Sequence, residues 1–398
     1  MSATEQLDVP DREPRPGSTG AAERAVPREP PPAADTSGGD LPATAALPMQ
    51  KSTVDERAGG LDRAAADALD RARTVVEPAL RAAVDRLPGR MRHIAGYHLG
   101  WWDEHGAPVT AHRGKAIRPA MVLACASAVG GDPEAAVPAA VAVELAHDFS
   151  LLHDDVMDGD VRRRHRPTAW TVFGSSAAIL AGDALQTLAT DVLVASGHPE
   201  ASTAVRVLNT AVLSLINGQS ADLAFEERSD VELAECQRMA GDKTGALLGC
   251  ACALGALLGG GRTQQVARLC SFGESLGLSF QHVDDLLGIW GDPSTTGKPV
   301  FSDLRTRKKT LPVVAALRSG TAAGQQLAEL YHREHPLTGS ELAHAAELVA
   351  VAGGRVFSQR EADRLLEQAL RDLRDADPPP RAAEQLTALA RMVIRRDR

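Results

Sequence analysis

Two groups of aspartates interrupt otherwise apolar text: Asp154, Asp155 and Asp158 in LLHDDVMDGD, and Asp284 with Asp285 in FQHVDDLLGIWGD. On a helix, Asp154 and Asp158 stand one turn apart, which places their carboxylates on one face about 6 Å from each other. Like charges at that spacing disfavour a helix, and charge within a run of Leu, Val, Phe and Met is costly unless paired or metal-bound. Each group is followed by cations. Arg162, Arg163, Arg164 and Arg166 come after the first; Lys298, Arg305, Arg307, Lys308 and Lys309, with Asp303 among them, come after the second. Magnesium prefers carboxylate, water and phosphate oxygens, and arginine adds bidentate contacts to phosphate. Acid followed by base predicts a metal-bridged phosphate ester. The alternative for either group alone is a solvated acidic face with salt bridges at a helix end.

The elements that position these groups read as helices. Ala and Leu dominate segments of helical spacing, aromatics make up only 3% of the chain, and strand-like runs are scarce, which predicts an all-α fold. An apolar stripe runs through Leu61, Ala65, Leu69, Val76, Leu80 and Val84. Gly, Pro and polar breaks follow at 130–133, 197–199, 259–261, 293–297, 336–339 and 378–380, dividing the rest into roughly a dozen helices. Residues 1–54 are rich in Pro, Ala, Gly, Ser and Thr and contain no aromatic residue. Such a segment cannot bury enough surface to offset its ordering entropy, so it is expected to be disordered ahead of a helical domain over 55–398. Lys115 and Arg118 in RGKAIRP, and Lys243 in GDKTG, lie within apolar helical text; singly, each reads as a snorkelling surface residue.

A net charge of -9 argues against a nucleic-acid partner, since phosphate backbones call for basic surfaces. The five cysteines have no metal-binding spacing and sit in apolar text, which predicts reduced core residues of a cytoplasmic protein. No apolar stretch is expected to approach the ~20 residues of a membrane span; the longest candidate lies around Ala246 to Leu258.

Taken in order, GKAIRP, ELAHDFSLLHDDVMDGDVRRRHRPT, GDALQ, GQSADL, DKTGALL, FQHVDDLLG, TGKPV and DLRTRKKTLPV resemble the motifs of the trans-type polyprenyl diphosphate synthases. The resemblance, nearest to short-chain geranylgeranyl diphosphate synthases of actinobacterial type, covers nearly the whole chain after the tail. It implies the isoprenoid synthase fold, with helices around a deep central cavity and both aspartate groups at its mouth. It implies a trinuclear magnesium site in which Asp154 and Asp158 match the ligands of the first motif and Asp284 that of the second, with Asp155 and Asp285 beside them. Arg163, Lys243, Thr244, Gln281, Lys298 and Lys308 match positions around the allylic diphosphate. Lys115, Arg118, His147 and Arg164 match the isopentenyl diphosphate site. The implied reaction condenses isopentenyl diphosphate with a farnesyl, geranyl or dimethylallyl primer, without a side-chain nucleophile. His153 and His282, each just ahead of an aspartate pair, are expected to pack and not to act as bases.

Phe149 followed by the small Ser150, about one turn before Asp154, resembles the chain-length position of synthases that stop at geranylgeranyl diphosphate. The alternatives are a farnesyl diphosphate synthase, a terpene cyclase on the same fold, or a non-catalytic encapsulated cargo protein. Lys115, Arg118 and His147 argue against the cyclase, and the aspartates argue against the cargo protein. Two departures stand out: Gly288 replaces the usual third aspartate of the second motif, which implies less negative charge at the mouth, and Ala116 replaces an often basic residue. The resemblance also implies a homodimer. Relatives that look like this chain are associated with encapsulin shells, which makes the apolar-Pro islands Leu41-Pro42 and Leu47-Pro48 a candidate docking segment.

Overall fold

The computed structural model describes residues 53–109, 114–293 and 299–395, with side chains from residue 60 onward. The predicted tail, including both apolar-Pro islands, therefore lies outside the described residues, apart from Thr53 and Val54 at the start of the first helix. Helix α1 (Thr53–Val84) is followed by α2 (Gly89–His98), α3 (Ile117–Ala128) and α4 (Val137–Met157), the last entered through a 3-10 turn at Pro133–Ala136. Strands β1 (Arg162–Arg163) and β2 (Arg166–Pro167) form an antiparallel ribbon, the only sheet among the described residues. Next come α5 (Ala169–Phe173), α6 (Ser175–Ala195), α7 (Ala201–Glu227) and α8 (Leu233–Ala240), which a π-turn at Gly241–Gly245 joins to α9 (Ala246–Leu258). Helix α10 (Thr263–Trp290) precedes α11 (Ser302–Arg305), α12 (Leu311–Leu317), α13 (Ala322–Tyr331), α14 (Gly339–Val351), α15 (Gly354–Asp375) and α16 (Pro380–Ile394).

The chain is all-α; the breaks at 130–133, 197–199 and 259–261 fall between α-helices, those at 336–339 and 378–380 run up to the first residue of the next helix, and the one at 293–297 lies mostly outside the described residues. The core forms where α4, α9 and α10 meet α3, α6, α7 and α15. Ala65, Leu69, Val76, Leu80 and Val84 are buried in it, as the stripe on α1 predicts, while Leu61 is partly buried. A smaller core of Ile289, Leu304, Val313, Leu327 and Leu342 holds α11 to α14 against the end of α10. Another, of Phe225, Cys236, Met239, Leu311 and Val314, ties α7 and α8 to α12. Together these satellites fix the segment that carries Lys308. All five cysteines are free; four are buried and Cys270 is partly exposed.

The expectation about membrane-span length is corrected. Pro133–Met157 and Ser175–Ala195 are both long and apolar enough to cross a bilayer. Their abundant small alanines conceal how long the apolar runs are. Within the fold, α4 is largely enclosed by other helices, whereas α6 leaves Ile179, Leu180 and Val194 exposed. On α7, Gly218 permits a close backbone approach: a Cβ there would lie 2.4 Å from the backbone nitrogen of Lys243.

Candidate active site

The first aspartate group occupies the last turn of α4, where the partial negative charge of the helix end opposes added carboxylates. Asp158 caps the helix and is exposed, while Asp154 is partly buried. Burial pushes the Asp154 carboxyl up to about 6; Asp158 adds to this, and Lys243, Arg163 and Lys308 oppose it. Asp155 points the other way. It is buried, and its Oδ1 accepts a 2.7 Å hydrogen bond from Nε of Arg163.

That bond anchors the β1–β2 ribbon, whose two turn residues, Arg164 and His165, have φ of 50° and 66°. Such values favour glycine or asparagine, so the turn carries strain of about 1–2 kcal/mol per residue. Arg166 holds it in place. Its guanidinium donates to the carbonyls of Tyr97 and Trp102, both at 3.0 Å, and lies 4.3 Å from the centre of the Tyr97 ring. The result is that Arg163 and Arg164 are presented to the cavity.

The second group lies near the C-terminal end of α10. Asp284 is exposed, while Asp285 is buried and engaged by both oxygens: Oδ1 accepts from Gln281 Nε2 at 2.7 Å and Oδ2 from the backbone N–H of Leu311 at 2.8 Å. Thr244 Oγ1 in turn donates to Gln281 Oε1 at 2.6 Å. A relay thus links the π-turn, α10 and the first residue of α12. Burial, with Asp303 adding, pushes the Asp285 carboxyl up to about 7 against the effect of these hydrogen bonds.

Two lysines share one buried acid. Asp222 Oδ2 lies 2.6 Å from Lys243 Nζ and 3.1 Å from Lys308 Nζ. Burial works against the Lys308 charge, yet Asp222 and Asp158 outweigh it and raise the lysine pKa. Lys309 turns away to donate to the carbonyl of Glu226 at 3.0 Å, so Lys308 is the lysine of the pair that faces the site. Lys298 lies outside the described residues.

A cavity of about 460 Å³ brings Lys115, Arg118, His147, Arg163, Arg164, Thr244 and Asp284 together over an apolar floor of Leu151, Leu248 and Phe280. Burial lowers the His147 pKa well below its usual value, and Arg118 and Arg164 lower it further, so His147 is neutral at pH 7. Phe149 is buried with its ring centroid 4.8 Å from that of His153, and Ser150 Oγ donates to the carbonyl of His147 at 2.8 Å. His153 Nε2 lies 3.0 Å from the carbonyl oxygen of Ile179. His282 is buried against Phe357, and burial lowers its pKa to about 4. Both histidines pack, as the sequence suggests.

No cluster of three or more His, Cys, Asp or Glu that could hold a metal occurs among the described residues. The donor set nevertheless fits magnesium, which keeps several waters and completes its shell with substrate phosphate oxygens instead of an all-protein cage. Asp154 and Asp158 from α4 and Asp284 from α10 are the carboxylates suited to that role.

A family model described as polyprenyl synthetase matches residues 101–349, well over half of the chain. The chain belongs to the polyprenyl synthetase family. It is therefore a trans-prenyl diphosphate synthase, with isopentenyl and allylic diphosphates as the family's substrates and, in general, magnesium as its metal. A (2E,6E)-farnesyl diphosphate synthase of Mycobacterium tuberculosis is 48% identical over 331 residues, 82% of this chain and 91% of the relative. A geranylgeranyl diphosphate synthase of the same organism is 46% identical over 332 residues, 83% and 93% of the two chains. The crystal structure of a polyprenyl synthetase from Streptomyces coelicolor A3(2) superposes with a TM-score of 0.80 at 49% identity, covering 83% of this chain and 99% of that one.

Against that family background, two polar residues of the site escaped the sequence reading. Asp222 stands alone in GQSADL, and nothing in its spacing announces that two lysines converge on it. Glu144 lines the cavity one turn before His147, and burial, with Asp148 adding, pushes its carboxyl up to about 7. The spacing Glu144, His147, Asp148 in ELAHD carried that signal.

The engagement of Asp285 yields a test of its structural role. Asp285→Ala leaves the buried Leu311 N–H unpaired and is expected to lower stability by about 1–3 kcal/mol, read from the urea midpoint. An unchanged midpoint would show that the relay contributes nothing to the fold.

Proposed function

We propose that this chain is a magnesium-dependent prenyltransferase that condenses isopentenyl diphosphate with farnesyl diphosphate, and also with geranyl or dimethylallyl diphosphate, to give all-trans geranylgeranyl diphosphate. The observation that carries the proposal is the cavity in which Asp284 of the second motif meets the cations Lys115, Arg118, Arg163 and Arg164 and, from the π-turn, Thr244.

In this reading Lys243 and Lys308, with Arg163, Thr244, Gln281 and Lys298, hold the allylic diphosphate. Lys115, Arg118, Arg164 and neutral His147 hold isopentenyl diphosphate beside it. Ionisation of the allylic carbon–oxygen bond puts negative charge on the leaving diphosphate, and fixed cations in a sheltered site stabilise that charge as it develops. Asp154, Asp158 and Asp284 would hold magnesium, which when bound would add to the neutralisation of the diphosphate charge. The apolar floor of Leu151, Leu248 and Phe280 excludes water from the allylic cation while the isopentenyl double bond attacks it. The released diphosphate takes the proton lost from the new chain.

Product length rests on Phe149, because the mycobacterial relatives carry the farnesyl and geranylgeranyl names at nearly equal identity. A homodimer is supported by the exposed apolar residues on α6 and on α7, among them Leu180, Val194, Leu213 and Ile216. Docking into an encapsulin shell falls to the tail outside the described residues.

Purified enzyme given magnesium, isopentenyl diphosphate and each primer is expected to extend the chain, with activity lost in EDTA and recovered on adding magnesium. A cyclic hydrocarbon, or no turnover, would overturn the proposal. Phe149→Ala is expected to shift products beyond the geranylgeranyl length by chromatography; an unchanged distribution removes Phe149 from that role. Deleting residues 1–52 is expected to abolish loading during co-expression with a shell protein, and unimpaired loading would rule the docking segment out.

A further inference from the structure

A second cavity, of about 350 Å³, is bordered by α1, the turn after α2, the start of α3, α4 and Arg164 of the ribbon. That volume falls in the range of small-molecule pockets, roughly 300–1,000 Å³. It shares Gly114, Ala116, Glu144 and Arg164 with the cavity described above, yet none of Asp154, Asp158 and Asp284 is among its lining residues.

The lining changes in character with burial. Arg73, Thr74 and Pro78 of α1 are exposed and form a rim, whereas Val76, Leu80, Leu99, Trp101 and Pro119 are buried and form apolar walls. Asp148 is the most deeply buried acid of the lining, only 2% exposed. Its Oδ2 has no hydrogen-bond partner among the described residues, and its Oδ1 lies 3.4 Å from Nε2 of His98. A buried carboxylate is costly until its oxygens accept hydrogen bonds.

The rest of the lining supplies acceptors more readily than donors. Pro78, inside α1, has no N–H to give to the carbonyl of Thr74 one turn earlier. Burial and Asp148 oppose the charge of Glu144, while Arg118 and Arg164 favour it. Arg73 donates to Asp70 at 3.0 Å, Glu77 is paired with Arg81 at 2.9 Å, and Arg164 also borders the substrate cavity. The unmatched group is therefore the Asp148 carboxylate.

We infer that this cavity is a second ligand site, taking an organic cation whose primary ammonium group meets Asp148 and whose apolar body packs against Leu99, Trp101 and Pro119. An ammonium carries three donors and no acceptor, which suits a floor built from acceptors. A neutral head loses the charge attraction, and an anionic one is repelled. Because Glu144 and Arg164 border both cavities, a cation bound here offsets acidic charge that otherwise attracts Arg164, and leaves that guanidinium freer for diphosphate. Each ligand then tightens the other. The coupling rests on the reading of Arg164 as a diphosphate ligand; the cation site itself does not.

Calorimetric titration of the full chain with benzylamine tests the site, with benzyl alcohol as the neutral control. Benzylamine is expected to bind once per chain, and benzyl alcohol about tenfold more weakly or worse. Asp148→Asn keeps the shape but removes the charge, and is expected to weaken benzylamine about 10–100-fold. A crystal structure of the wild type with para-bromobenzylamine, located by the anomalous scattering of its bromine, reads the position without any variant. Absence of benzylamine binding, equal binding of benzyl alcohol, unchanged affinity in Asp148→Asn, or a bromine outside the cavity would overturn the site. Inorganic diphosphate with magnesium is expected to tighten benzylamine about fivefold or more. Unchanged affinity in protein that binds diphosphate in the same calorimeter would overturn the coupling, whereas protein that binds no diphosphate would overturn the reading of Arg164.

Discussion

Carboxylates at the C-terminal end of an apolar helix are the constraint around which the rest of this molecule is arranged. At the end of α4, both burial and the helix dipole oppose negative charge, and α10 carries a second such group near its own C-terminal end. No local rearrangement relieves this, because the apolar residues of both helices are locked in the core. Relief has to come from cations delivered by other segments: Arg163 and Arg164 on a strained ribbon, Lys243 on a π-turn, and Lys308 on the stretch between α11 and α12. Each of these carriers is irregular backbone fixed by its own contacts. The regular helices supply the carboxylates, and the irregular segments supply these counter-charges.

Within each aspartate pair the two members have different tasks. Asp284 is exposed and lines the cavity and Asp154 is partly buried at the end of α4, while Asp155 and Asp285 turn inward and bind the segments that carry the cations, the ribbon in one case and the start of α12 in the other. On the proposed reading, the same dipeptide provides a ligand and the means of positioning that ligand's counter-charges. This explains why the second residue of each pair is buried although it is as polar as the first.

Much of this was legible in the sequence. Helical periodicity and Gly and Pro breaks pointed to the all-α fold, acid-then-base ordering to Asp284, Arg163 and Arg164, and the family resemblance to Lys115, Arg118, His147 and Thr244. What was not legible depends on contacts between distant segments. Asp222 looks like any acid on a helix until two lysines from elsewhere meet it. Lys308 and Lys309 are equivalent as text, and only the turn after α11 decides which one faces inward. The strain at Arg164 and His165 is invisible too, since neither residue type advertises a left-handed backbone. The length of α4 and α6 was missed for a different reason: alanine-rich text understates how long an apolar helix runs.

The sharing of Asp222 between Lys243 and Lys308 has a consequence for the ligand cycle. Neither ammonium is left without an anion when the cavity holds no diphosphate, so an arriving diphosphate does not meet bare charges; it competes with a carboxylate tethered a few ångströms away. A tethered competitor acts at a high, fixed effective concentration set by the fold and not by the solution. On the proposed reading of these lysines as diphosphate ligands, Asp222 competes with every diphosphate, including the one left behind after chain transfer. The residue that keeps the lysines in place between turnovers would then also favour the departure of the spent anion.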